Sequence, residues 1–115
     1  MIYLISLYLL AAAAVSAQSV FETEARVVVL NDQNFDPFLT QIKEENAVAM
    51  IEFYAPWCPH CKQLIPEYEK AAKSVEGLTP KIYLAKYDCD AHTEMKKRYE
   101  VRGYPSLKIW RVGKS

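Results

Sequence analysis

Cys58 and Cys61 are separated by Pro59-His60, and two thiols at that spacing can close a small disulfide ring. A thiolate at the first can attack a disulfide in another molecule, and the second can then resolve the mixed disulfide. The run Ala49-Met50-Ile51-Glu52-Phe53-Tyr54 just upstream is mostly apolar and rich in strand formers. The run from Lys62 to Lys73 has the periodicity of an amphipathic helix. The cysteine pair therefore stands where a strand gives way to a helix, the setting that makes such a pair redox-active. Unpaired backbone N–H groups and the helix dipole at that point favour the thiolate of Cys58. His60, when protonated, adds a positive charge beside it. Cys61, one turn further into the helix, is the more shielded sulfur and suits the resolving role.

Three other uses of the pair compete with this one. An inert bridge needs no helix N-terminus. A zinc site needs two more ligands at a recognisable spacing, and only Cys89, His60 and His92 remain, so no metal centre is expected. Covalent haem requires His directly after the second Cys, where this chain has Lys62.

The chain is 115 residues long, enough for one domain. Residues 1–17 carry no charged side chain and end in Val15-Ser16-Ala17, which reads as a signal peptide cleaved before Gln18. That stretch falls short of the roughly 20 apolar residues needed to span a bilayer, so no stable membrane insertion is expected after cleavage. The 14 acidic and 14 basic residues all follow it and cancel, which points away from nucleic acid as a partner. Three cysteines, two of them in one motif, do not make a disulfide-stapled scaffold; they are working parts of a secreted chain.

Arg26-Val-Val-Val-Leu30 reads as a first strand. Asn31-Asp-Gln-Asn34 supplies a turn and an N-cap for a helix from Phe35 to Glu45, with Phe35, Phe38, Leu39 and Ile42 on one face and Pro37 in its first turn. Val48 to Tyr54 is apolar on both faces except at Glu52, as in a central strand with helices on both sides. The helix after the cysteines aligns Leu64, Tyr68, Ala71 or Ala72, and Val75, contains Pro66, which should kink it, and has Gly77 as a candidate C-cap. Lys81 to Tyr87 reads as a strand, Thr93 to Tyr99 as a short helix, Gly103-Tyr104-Pro105 as a turn and Ser106 to Trp110 as a strand. Alternating strands and helices with short connections make an α/β domain.

From about Val27 to Gly113 the chain closely resembles a catalytic domain of the protein disulfide isomerases, members of the thioredoxin superfamily. Glu52 to Lys62, Pro66-Glu67-Tyr68 and Gly103 to Ile109 look like that family's blocks, in order and at its spacing. The resemblance implies a thioredoxin-like fold, with a central sheet and helices on both faces. It implies that Glu52 lies behind the disulfide and relays a proton to or from Cys61, with Lys86 as its partner. The competing reading leaves both residues solvated at strand edges. It further implies that Pro105 is a cis-proline facing the disulfide, that the backbone of Tyr104 pairs with an extended substrate segment, and that Trp57 walls that segment or else packs in the core. Trp110 is expected in the core, Cys89 as a buried inert thiol, and His92 at the surface near a helix start.

Two features depart from the family's pattern. Gly usually lies between the first Cys and the His, where this chain has Pro59; Cys-Pro-His-Cys instead resembles the active site of the oxidising bacterial enzyme DsbA. The spacing from Cys58 to Pro105, 47 residues, is isomerase-like. The family's domain also continues past Ser115 with a last strand and helix, so residues 18–115 are expected to form an incomplete domain with an exposed sheet face. The function expected is a thiol–disulfide oxidoreductase or isomerase acting on cysteine-containing client proteins in the endoplasmic reticulum lumen or outside the cell. It would need no bound cofactor, and glutathione or a thiol oxidase would reset the pair. The alternative is a non-catalytic, chaperone-like client-binding module.

Overall fold

The computed structural model describes residues 21–113. The expected signal segment and its cleavage site lie outside the described residues. The elements run β1 (Thr23–Glu24), β2 (Val27–Leu30), α1 (Phe35–Glu44), β3 (Val48–Tyr54), α2 (Pro59–Ser74), β4 (Ile82–Asp88), α3 (Glu94–Arg98) and β5 (Ser106–Arg111). The strands form one sheet in the order β1-β2-β4-β3-β5. β2, β4 and β3 are parallel, while β1 and β5 are antiparallel to their neighbours. The α/β class and the succession of elements are those expected. β1 is an addition that two residues with no periodicity could not announce.

The turn into α1 departs in detail from its expectation. Asn34 occupies the cap position but its side chain does not cap the helix. Its Oδ1 accepts from the Asn31 N–H at 2.7 Å and its Nδ2 donates to the Val29 carbonyl at 3.0 Å. Asn31 Oδ1 in turn accepts from the N–H groups of Gln33 and Asn34 at 2.9 and 2.8 Å. Two asparagines thus tie the turn to itself, a local alternative to capping that short polar side chains offer.

One face of the sheet carries an aromatic core. Ala49, Ile51 and Phe53 of β3 are fully buried there, with Phe35 and Phe38 of α1 and Met95 of α3. Phe35, Phe53, Tyr87, Tyr99 and Trp110 lie with ring centroids 5.2–6.3 Å apart, in tilted and edge-on arrangements. Trp110 is half-buried at the margin of this cluster.

The other face is covered by α2, which runs on through Pro66. Tyr68 and Ala72 bury against Val27 and Leu84. The Tyr68 hydroxyl is 3.0 Å from the Met50 carbonyl and 2.8 Å from that of Ala85, so it ties the helix to both β3 and β4. The cover is partial. Val48, Met50, Leu64, Ile82 and Ile109 line an apolar groove of about 400 Å³, and Leu107 and Ile109 of β5 are 49% and 62% exposed. β3 therefore has one sealed face and one face only part-covered by its helix.

Candidate active site

The turn after β3 presents the cysteine pair. Cys58 N–H donates to the Ala55 carbonyl at 3.1 Å, and the Cys58 carbonyl accepts the first helical bond from Lys62 N–H at 3.1 Å. Cys58 is the N-cap of α2 with extended backbone (φ −73°, ψ 120°), and Pro59 follows in the first turn. Proline loses nothing there, because an N–H at that position has no helical acceptor.

Cys58 and Cys61 are buried with Ala55 in a small cluster that Tyr54 and Tyr104 close. Both are free thiols, and Cys58 Sγ lies 3.5 Å from the Tyr104 carbonyl, to which it donates. The backbone N–H of Cys61 foremost, then the Cys61 thiol and the His60 N–H, hold the Cys58 thiol below its ordinary value, against the opposing pull of burial. This is the helix N-terminus acting on a sulfur. His60 contributes through its backbone, and its side chain is exposed. Burial pushes the Cys61 thiol up to about 11, helped by the neighbouring Cys58 and Glu52. The two sulfurs are thus polarised in opposite senses, Cys58 held below the ordinary thiol value and Cys61 above it.

Among the described residues Glu52 is the one polar or charged residue that is buried, 4% exposed, and burial raises its carboxyl to about 7 against the pull of Lys86. A carboxyl that titrates near neutrality can both take and give a proton. It acts electrostatically on both thiols. The strand-edge alternative is excluded for Glu52, which stands in the interior of the sheet between Lys86 of β4 and Leu107 of β5.

Lys86 is in register with Glu52, but its Nζ pairs with Glu24 Oε1 on β1 at 3.2 Å and stands 6.0 Å from the Tyr54 ring. Glu24 is the site residue that sequence reasoning missed. Its meeting with Lys86 depends on β1 joining the sheet beside β2, and nothing local to Glu24 signals that.

The Tyr104–Pro105 bond is cis, as expected; Thr79–Pro80 is cis as well. Trp57 is 61% exposed and meets Tyr104 edge-on with ring centroids 6.0 Å apart, so it lies at the surface and is no part of the core. Cys89 is buried and its thiol is pushed up to about 11, chiefly by burial. His92 differs from expectation: it is half-buried, its ring 5.8 Å from Tyr87.

The arrangement can do thiol–disulfide exchange, and known proteins with similar chains bear on that chemistry. The model of the thioredoxin family matches residues 26–115. A probable protein disulfide-isomerase A4 of Caenorhabditis elegans is 50% identical over 94 residues, which are 82% of this chain and 14% of that protein. Protein disulfide-isomerase A4 of Homo sapiens is 49% identical over 87 residues, 76% of this chain and 13% of that protein. The solution structure of the first thioredoxin domain of mouse protein disulfide-isomerase A4 superposes with a TM-score of 0.72 at 39% identity, over 86% of this chain and 68% of that domain. The chain thus spans about one-seventh of the length of the curated relatives it matches.

Proposed function

This chain belongs to the thioredoxin family, and we propose that it makes, breaks and rearranges disulfides in client proteins of the secretory pathway, in the endoplasmic reticulum lumen or outside the cell. The observation that carries the reading is the opposite polarisation of the two sulfurs at the start of α2, with a neutral-range carboxyl behind them.

In the reducing direction, the Cys58 thiolate attacks one sulfur of a client disulfide. A Cys58–client disulfide forms, the client S–S bond breaks, and the second client sulfur leaves as a thiolate. Tyr104, whose carbonyl already lies against Cys58 Sγ, offers its backbone to the client strand, with Pro105 and Trp57 beside it. Glu52 takes the Cys61 proton. The Cys61 thiolate then attacks Cys58 Sγ, closes the 58–61 disulfide and expels the client thiolate. Two electrons pass from the cysteine pair to the client. With a Cys61 thiol near 11, only about one molecule in 10⁴ carries that thiolate unaided at pH 7, which is why a base matters. The reverse sequence oxidises a client dithiol, with Glu52 returning the proton. Glutathione or a thiol oxidase resets the pair by the same exchange.

The test is insulin reduction by the full chain, with its folding measured alongside. Turnover that depends on Cys58 supports the reading. A folded chain that binds clients without turnover refutes it and leaves client binding as the activity.

A further inference from the structure

The buried carboxyl does not hold its lysine. Glu52 and Lys86 face one another in register on β3 and β4, yet the ammonium of Lys86 is engaged by Glu24 at 3.2 Å. Between them lies a cavity of about 20 Å³ whose lining includes Glu24, Glu52, Tyr68, Glu69 and Lys86. That is room for about one water molecule, in a site polar enough to keep it. Glu24 and the far side of the cavity are open to solvent: the Glu24 side chain is 68% exposed, that of Lys86 only 19%.

We propose that Glu24 is a positioning residue for the reaction: by holding the Lys86 ammonium at the mouth of this cavity, it keeps that charge from pairing with Glu52 and so sets the proton affinity of the carboxyl that serves Cys61. The catalytic meaning rests on the proton-relay reading above; the electrostatic coupling does not.

The titratable neighbours of Glu52 come from β4, β3, α2 and β1, while β5 sets apolar Leu107 beside it. Lys86 stands on β4, Tyr54 on β3, Tyr68, Glu69 and Cys61 on α2, Cys58 at the N-cap of α2, and Glu24 on β1. Lys86 is the only cation of the set. A lysine shared between two carboxylates can ion-pair fully with one of them. While Glu24 holds it, Glu52 stays easier to protonate and remains poised to exchange protons near neutral pH. Removing the Glu24 charge acts in one direction by two routes: the ammonium is released toward Glu52, and a like charge near Glu52 is lost. Both favour the ionised carboxylate.

The experiment follows the Glu52 carboxyl by ¹³C NMR titration in the full chain, beside the pH profile of mixed-disulfide resolution. It compares wild type, Glu24→Gln, Lys86→Met and the double variant. Because the Glu24–Lys86 pair is partly exposed and screened, Glu24→Gln should lower the Glu52 midpoint by about 0.5 pH unit, with the resolution profile moving the same way. Lys86→Met should raise the midpoint. In the Lys86→Met background, Glu24→Gln should lose most of its effect. An unmoved Glu52 midpoint in Glu24→Gln overturns the proposal, and so does an equal shift with and without Lys86. A Glu52 midpoint that moves while the resolution profile stays put leaves Glu24's hold on Glu52 standing and overturns the relay instead.

Discussion

Ala49, Ile51 and Phe53 are themselves fully buried against the aromatic core, whereas Val48, Met50 and Glu52, alternate residues of the same strand, point to a face that α2 covers only in part. The sealed face is held chiefly by shape: five aromatic rings pack edge-on and tilted, and the Tyr87 hydroxyl at its edge donates to Asp32 Oδ1 at 2.6 Å. The part-covered face holds the one carboxyl buried among the described residues, a water-sized cavity beside it and a route to solvent past Glu24 and Lys86. A proton relay has to be dry enough to shift a pKa and wet enough to exchange. Only the second face meets both conditions, and the reactive turn at the end of β3 lies against it.

The comparison can be tested from the chemistry outward. Cys58→Ser should abolish reductase and isomerase activity, while Cys61→Ser should keep the first attack and accumulate mixed disulfides, because nothing intramolecular then releases the client. Non-reducing gels read the difference; equal trapping by the two variants would contradict the assignment of roles.

On the sealed face the expected effect is on stability. Phe53→Ala leaves a cavity among four aromatic neighbours and should lower the unfolding free energy by about 3–5 kcal/mol in denaturant titration. A loss below about 1 kcal/mol would mean that this face is not the close-packed one.

Glu52→Gln should show the opposite balance, with slower mixed-disulfide resolution and a more stable fold at high pH. The sign follows from the raised carboxyl. Its contribution to stability is whole below the unfolded value of 4.5 and is lost as pH rises through about 7. Between pH 5 and pH 8 the wild type should therefore lose about 2–3 kcal/mol more than Glu52→Gln does. Parallel pH–stability curves for the two proteins would show that Glu52 is not held in a desolvated site.

The smallest effect is expected on β5. Ile109→Thr removes an exposed apolar group from an edge strand and should change stability by no more than about 0.5 kcal/mol. A loss of 2 kcal/mol would show that this side is covered in solution.

Much of this was legible in the chain. The bounds of β3 are those that its apolar run predicts, because a central strand needs side chains that bury on both faces. α2 was readable from its apolar spacing, and the placement of Cys58 at its start from the strand-to-helix change. The parts misread or left open share a cause. Asn34 has the residue type of a cap, but Asn31 and the Val29 carbonyl compete for its side chain. His92 looks like a surface residue until Tyr87 is found beside it. Trp57 could line a core or a surface with equal ease as a sequence element, and its neighbour Tyr104 lies far along the chain.

By itself, the order of residues determined where four of the five strands and the three helices fall, which sulfur sits at a helix N-terminus, and that a carboxylate interrupts an apolar strand. These depend on side-chain type and on spacings of a few residues, the range over which backbone geometry is fixed. Only the tertiary structure decided which charges meet. The strand order β1-β2-β4-β3 brings Glu24 to Lys86 and leaves Glu52 buried beside them without an ion-pair partner among the described residues. Coulomb energies and desolvation depend on distances through space, and two carboxylates on different strands compete for one lysine according to where the sheet places all three.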